Sequence, residues 1–392
     1  MSGPPAPAPE LALHDADVLG PYAAGGPVGP EVRELVAEMP KAELHLHLDG
    51  SLRIETALEL ARTRRIEAPR TRAGMVGALV APPRCTDQAD LLRAFDLPIA
   101  LMQDAEALER IAAELVDDKA ADGVRYLEIR WGPLLHVSRG LTLEDGIAAV
   151  VRGANTAAAR AGIAVRLICT ALRSHDPVAN VGLAEAAAGF RDAGLTGWDL
   201  AGPEARFPDP LTHGAAFDAA RAGGLRITLH AGEWGGAAQV RRALVMEPER
   251  IAHGPGAADD PELVAELRAR GVVLDLCPSS NVQAAIVPTV AAHPLARLHR
   301  AGVRVTLSTD DTTVANLTLS EEYLRALERI GLSLEELWAI DRMALDVAFA
   351  DEATLAPIRR AFQEWAATSP VPFAANPTGD AVRSANTREA NA

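Results

Sequence analysis

Lysine is almost missing from this chain, with only Lys41 and Lys119 in 392 residues. Acidic residues outnumber basic ones, 53 against 38, and the formal net charge is −15. A basic face for nucleic acid or for an anionic membrane is therefore not expected. Cysteine is scarce as well. Cys85, Cys169 and Cys277 are too few and too scattered for a disulfide framework, and no Cys-x-x-Cys is present to build a thiolate zinc site. A reducing cytoplasm is the expected setting. No apolar run is long enough to span a bilayer, and the first residues lack the basic segment and apolar core of a signal peptide. A Gly-rich phosphate loop after an early strand is also missing, which argues against a doubly wound nucleotide-binding sheet.

What the chain does have is a 48% hydrophobic share, enough for a large core. Apolar, β-branched runs bounded by Gly, Pro and polar residues predict eight strands: Ala42 to Leu48, Val124 to Trp131, Ala164 to Leu172, Gly197 to Ala201, Leu225 to His230, Arg250 to His253, Val272 to Cys277 and Val303 to Thr309. Alanine-rich amphipathic segments lie between them, among them Leu183 to Ala193, Thr212 to Ala222 and Pro261 to Arg270. Alternating strands and helices imply parallel units. Eight of them predict an α/β fold of the (β/α)8 TIM-type barrel kind, with its active site at the strands' C-terminal ends. A single domain is expected over 31–368, between a disordered leader, 1–30, and a disordered tail, 369–392. A long helical insertion, Ser51 to Gly123, follows the first strand. Within it, Cys85 to Phe95 reads as a helix with an apolar face, suited either to core packing or to the barrel mouth. Ser320 to Ala350 reads as helical.

Polar residues gather where the strands end. In Ala42 to Gly50 the period-two alternation puts His45, His47 and Asp49 on one face. A lone His-x-His can also be two satisfied histidines near a strand end. Three further clusters follow: His230 with Glu233, His253 after Arg250, and Asp310 with Asp311. Barrel closure makes the first and eighth strands neighbours, so His45 and His47 can approach Asp310, with His230 facing them across the mouth. Three imidazole nitrogens and a carboxylate oxygen suit Zn²⁺ or another divalent transition metal and leave room for water. Glu233 is then either a proton carrier or a first-turn carboxylate of the next helix. His253 reads equally as a packed residue, and Asp311 as a solvated loop acid.

Pro40 to Leu52, Asp199 to Glu204, His230 to Glu233, Arg250 to Gly254, Cys277 to Asn281 and Ser308 to Asp311 follow one another in an order that resembles the adenosine deaminase family of metal-dependent amidohydrolases. The resemblance spans about Glu31 to Ala350. It implies one Zn²⁺ per chain, held by His45, His47, His230 and Asp310. It implies that Glu233 handles the proton at purine N1, that His253 orients and stabilises the metal-bound hydroxide, and that Asp311 bonds N7. Gly202 would offer its N–H to N3 and Asp49 would hold the ribose 5′-hydroxyl, so that His47, Asp49, Gly202 and Asp311 line a purine nucleoside. The implied reaction is hydrolytic deamination of adenosine or 2′-deoxyadenosine.

Departures from the family pattern fall at Ile54, Leu91, Trp234 and Thr312, whereas Phe95 matches a lid aromatic. They bear on the substrate rather than the reaction, and an aminodeoxyfutalosine or adenine deaminase keeps the same chemistry. Relatives of those two kinds often carry Glu where this chain has Asp49. A binuclear centre bridged by a carboxylated lysine is not expected, since neither lysine sits at a mid-barrel strand end. A cytidine-deaminase zinc site is not either, because it needs Pro-Cys-x-x-Cys. A non-catalytic nucleoside-binding barrel would be expected to have lost a ligand or Glu233, and all are present.

Overall fold

The computed structural model describes residues 28–370. Apart from their innermost residues, the expected leader and tail lie outside this span.

Eight parallel strands run in sequence order: β1 Lys41–His47, β2 Val124–Trp131, β3 Ala164–Leu172, β4 Leu195–Ala201, β5 Arg226–His230, β6 Arg250–Ala252, β7 Val273–Leu276 and β8 Arg304–Leu307. The barrel closes through a parallel bridge between Leu46 and Asp310. There the His47 N–H donates to the Asp310 carbonyl at 2.7 Å, and the Asp310 N–H to the His45 carbonyl at 3.1 Å. All eight expected strands are present: β2 and β3 match their bounds, β1 lies one residue earlier, β4 starts two residues earlier, and β5 to β8 are shorter at their ends. The (β/α)8 barrel is thus the observed fold.

Strict alternation does not hold along β1. Glu43 pairs with Leu127 and Leu46 with Ile129, so three steps on β1 oppose two on β2. This one-residue bulge, which takes in Leu44 and His45, re-aims the chain at the first of the histidines, a common device beside active sites. Glu43 does not join the histidine cluster. Its Oε2 lies 2.7 Å from Lys119 Nζ, and its Oε1 accepts from the Thr309 N–H and hydroxyl.

Apolar residues such as Leu44, Leu46, Leu127, Ile129, Leu167 and Leu274 pack the strands against the surrounding helices. Ions occupy part of the space between strands. Arg250 of β6 bonds Glu128 of β2 and Asp275 of β7, while Arg130 of β2 bonds Asp199 of β4 at 3.2 Å. All five side chains are fully buried. Removing one partner from such a pair typically costs about 3–5 kcal/mol, because a bare charge is left behind.

The outer helices differ in detail from expectation. The segment expected as a helix over Leu183 to Ala193 is a helix at Pro177–Ala188 followed by a short turn, Arg191–Ala193, because Gly189 and Gly194 interrupt it. Thr212 to Ala222 opens as a 3₁₀ turn, Pro210–His213, before the helix Gly214–Ala222. Cys85 to Phe95 becomes Gln88–Leu92, N-capped by Asp87, plus a single turn, Arg93–Phe95. Ser320 to Ala350 is two capped helices, Leu319–Arg325 and Leu334–Val347, joined by a wider turn, Ala326–Ile330. A further helix, Glu352–Thr368, follows. Among the described residues no helix is long and apolar enough to cross a membrane.

Candidate active site

The C-terminal ends of β1, β5 and β8 deliver the expected ligands to one point. His45 Nε2 lies 3.0 Å from Asp310 Oδ1, His47 Nε2 lies 3.4 Å from the same oxygen, and His47 Nε2 is 3.2 Å from His230 Nε2. Four donors bonded tetrahedrally to a metal at about 2.0–2.1 Å would stand about 3.3 Å apart. The spacing therefore fits a divalent metal. So does the protonation: burial first of all holds His47 down to about 3 and His45 well below the usual imidazole value, which leaves lone pairs free. The other ring nitrogen of His45, Nδ1, is buried with no hydrogen-bond partner among the described residues.

By distance alone His253 competes with His47, since donor atoms of His45, His230, His253 and Asp310 lie within 4.8 Å of one another. The orientation of Asp310 separates them. Its Oδ1 faces His45 and His47, whereas its Oδ2 accepts from Ser280 Oγ at 2.6 Å and faces His253 Nε2 at 3.7 Å. His230 is oriented from behind by Asp199, which accepts from Nδ1 and so turns Nε2 toward the centre.

His253 and Asp310 both carry left-handed backbone, with φ of 69° and 68°. Such strain costs about 1–3 kcal/mol per residue and persists where the surroundings dictate it. Here a hydrogen bond from the His253 N–H to the Asp275 carbonyl, 2.9 Å, and the bridge to β1 hold the two in place.

Three acids ring the centre. Burial, then the Asp310 and Glu204 carboxylates, push Glu233 well above the ordinary range, which favours its protonated form. Its Oε1 stands 4.0 Å from His253 Nε2. Asp311 is raised well above its usual value by burial and by Asp310, Asp49 and Glu233. Gly50 makes room for it, since a Cβ there would fall 1.7 Å from Asp311 Oδ1. Asp49 stands in the turn just beyond β1, with its Oδ1 buried and unpartnered, and burial pushes its carboxyl up to about 6. Gly202 follows β4 directly with φ of 101°, a conformation open to glycine.

The loop carrying Glu233 is itself held. Glu204 accepts from the backbone N–H groups of Gly232 at 2.9 Å, Trp234 at 2.8 Å and Gly235. Above the site, Cys85, Leu91, Ala94, Ala284 and Val314 form a separate apolar cluster with Phe95, Trp234 and Ile286 against it. The insertion thus packs on the loops after β5, β7 and β8. Two of the departures from the family pattern, Leu91 and Trp234, meet in this one wall.

Sequence reasoning left several participants without a role. Asp199 and Glu204 stand inside a recognised motif, and a polar residue at the end of β4 was the available signal. Ser280 and Asn281 lie in another such motif. His136, buried after β2 with its Nε2 4.0 Å from Asp49 Oδ2, gave no sign beyond being a histidine past a strand end.

A family model described as adenosine deaminase matches residues 40–365. The chain is 37% identical over 317 residues to an adenosine deaminase of Clostridium perfringens, covering 80% of this chain and 95% of that one. To an adenosine deaminase of Enterococcus faecalis it is 35% identical over 314 residues, covering 80% and 93%. Among solved structures, an amidohydrolase from Burkholderia ambifaria with bound Zn superposes with a TM-score of 0.80 at 28% identity, covering 88% of this chain and 95% of that one. The adenine deaminase of Arthrobacter aurescens gives 0.78 at 28%, covering 84% and 100%. An Arabidopsis N6-mAMP deaminase gives 0.75 at 30%, covering 84% and 99%.

Proposed function

Since this chain belongs to the adenosine deaminase family, and so is a hydrolase that deaminates adenosine-like substrates at the C–N bond of a cyclic amidine, we propose that its substrate is adenosine or 2′-deoxyadenosine and its metal a single Zn²⁺. The observation that carries this reading is the convergence of His45, His47, His230 and Asp310 at spacings of 3.0–3.4 Å beside a raised Glu233. When bound, the metal would lower the pKa of a water to about 7 and so supply a nucleophile at neutral pH.

The chain's own residues do the rest. Glu233 carries a proton to purine N1, which draws electrons away from C6 as the water oxygen adds there. His253 Nε2 orients that oxygen from the side of Asp310 Oδ2. Asp311, holding a proton, bonds N7, and the Gly202 N–H bonds N3. One proton of the added water restores Glu233 and the other passes to the amino nitrogen, which leaves as ammonia, so that the 6-oxo purine keeps the proton at N1. Asp49 holds the 5′-hydroxyl. The three cysteines, all buried and unpaired, support a reducing cytoplasmic setting.

A nucleotide or a free base is the second reading, because solved neighbours act on N6-mAMP and adenine. Against a 5′-phosphate stands the carboxyl of Asp49, buried where the 5′ position would lie. The test is conversion to the 6-oxo purine, followed by ultraviolet absorbance, by zinc-loaded protein given adenosine, 2′-deoxyadenosine, adenine, N6-methyl-AMP (which would release methylamine instead of ammonia) and aminodeoxyfutalosine. The two adenine nucleosides should show the highest kcat/KM. Faster turnover of any other member replaces the substrate, and no turnover of any refutes the reading.

A further inference from the structure

We propose that His293 and Asn281 fix the tautomer of His253, so that His253 presents an N–H from Nε2 to the reacting oxygen and is thereby excluded from the metal's ligands. The inference deepens the function proposed above and rests on it for the identity of that oxygen. It begins at a group that cannot be flipped. The backbone N–H of Leu295 can only donate, and it points at His293 Nδ1 from 3.2 Å. Nδ1 therefore accepts, and the single proton of a neutral His293 sits on Nε2.

His293 is 4% exposed, and burial pushes it down to about 3, in keeping with a neutral ring. Its Nε2 is 3.1 Å from Asn281 Oδ1, so it donates there. That contact orients the amide, because the reverse rotamer would set two donors against each other. Asn281 Nδ2, now facing His253 at 3.2 Å, must donate to Nδ1 of that ring. With Nδ1 accepting, His253 carries its proton on Nε2. Metals bind the lone pair of an imidazole, and here the nitrogen aimed at the centre has none free.

The direction of that N–H is useful. It faces Asp310 Oδ2 at 3.7 Å and Glu233 Oε1 at 4.0 Å, and so lies between the carboxylate beside the metal and the acid. Asn281 is fully buried and His253 1% exposed, so solvent offers neither side chain an alternative partner. The relay links the helix Pro278–Gln283, the loop after the turn Val290–Ala292 and the end of β6. His293 is thus a positioning residue that acts through Asn281 and His253.

The experiment is long-range ¹H–¹⁵N NMR of metal-loaded protein labelled with ¹⁵N-histidine, with His253 assigned by its absence in His253→Ala. The parent should show His253 protonated on Nε2 and His293 likewise. A proton on Nδ1 of His253, or metal-type coordination at its Nε2, overturns the proposal. Two variants add kinetics. His293→Gln keeps an acceptor for Leu295 and a donor for Asn281 and should hold kcat within about threefold. His293→Leu keeps the bulk but frees the amide, and should lose about tenfold or more in kcat with KM and metal content little changed. Equal kcat in the Leu and Gln variants would also overturn it. Inactivity of the parent on every purine, with His253 still protonated on Nε2, would refute the proposed function and leave the tautomer assignment standing.

Discussion

Both carboxylate oxygens of Asp199 lie on Nδ1 of His230, at 3.0 and 3.1 Å. Burial alone would raise this carboxyl, but His230 and Arg130 hold it well below its usual value, so it stands ionised behind the ring. Thr170 and Arg130 bond its Oδ2 as well, which fixes its plane. A partner of this kind orients a ligating imidazole and raises its basicity. Asp199→Asn should therefore weaken metal affinity about tenfold to a hundredfold, read by competition with a chelator. His230→Ala should lose the metal and the activity together. Stoichiometric metal in the latter would remove His230 from the ligand set.

Glu233 stands three residues past the proposed ligand His230, with its Oε1 4.0 Å from His253 Nε2. General acid–base groups contribute about 10²- to 10⁴-fold. Glu233→Gln should cost at least that in kcat while metal content stays near that of the parent. Metal loss in this variant would make Glu233 a ligand. Glu204→Gln tests the cradle beneath it. With one oxygen turned into a donor, the loop N–H groups of Gly232, Trp234 and Gly235 are under-served, and kcat should fall with metal retained.

The barrel was legible because its strands are continuous apolar runs that break into His, Glu or Asp at one end, a pattern set by burial on both faces. The gathering of His45, His47 and Asp310 was legible for the same reason, since closure of eight parallel strands leaves β1 beside β8. What escaped depends on geometry that no local pattern carries. The bulge between Glu43 and Leu46 turns Glu43 toward Lys119, against simple alternation. His293 reaches His253 only through Asn281, three residues on separate segments of the chain. Helix ends were misjudged where a 3₁₀ turn such as Pro210–His213 shares the composition of the helix it precedes.

Asp341 ties the helix Leu334–Val347 to β1. Its Oδ1 accepts from the Ala42 N–H at 2.9 Å and the Tyr323 hydroxyl at 2.7 Å, while its Oδ2 is buried without a partner. Burial pushes this carboxyl up to about 7 from 3.8, against the opposing pull of those bonds and of Lys41. The folded state therefore keeps a proton that the unfolded chain gives up. Its contribution to stability is fully present below the unfolded value and is lost as pH rises toward 7. Asp341→Asn has no such proton, so its stability relative to the parent should improve steadily from pH 4 to pH 7, by up to about 1.4 kcal/mol per unit. A parent-to-variant difference that is constant over that range, measured by chemical denaturation with metal saturating, would rule this out.

If the proposed substrate is right, selectivity should turn on Asp49 and His136. The Nε2 of His136 lies 4.0 Å from Asp49 Oδ2, too far for a direct hydrogen bond and close enough for one hydroxyl oxygen to bond both. His136 is 1% exposed, and burial holds it down to about 4, so it meets a ligand as a neutral ring. Asp49 Oδ1 has no partner among the described residues. A substrate with a free 5′-hydroxyl satisfies this pair; one without it leaves both groups buried and unpaired. Such a loss typically costs about 1–3 kcal/mol, more for a charged group, or roughly tenfold to several-hundredfold in kcat/KM. Adenosine and 2′-deoxyadenosine should therefore be turned over well, and adenine and 5′-deoxyadenosine poorly. Asp49→Ala should narrow the gap by weakening the good substrates, and His136→Phe, which keeps the ring and removes its nitrogens, should narrow it in the same direction. Equal kcat/KM for adenosine and 5′-deoxyadenosine in the parent would defeat the assignment and point to a nucleoside modified at the 5′ position.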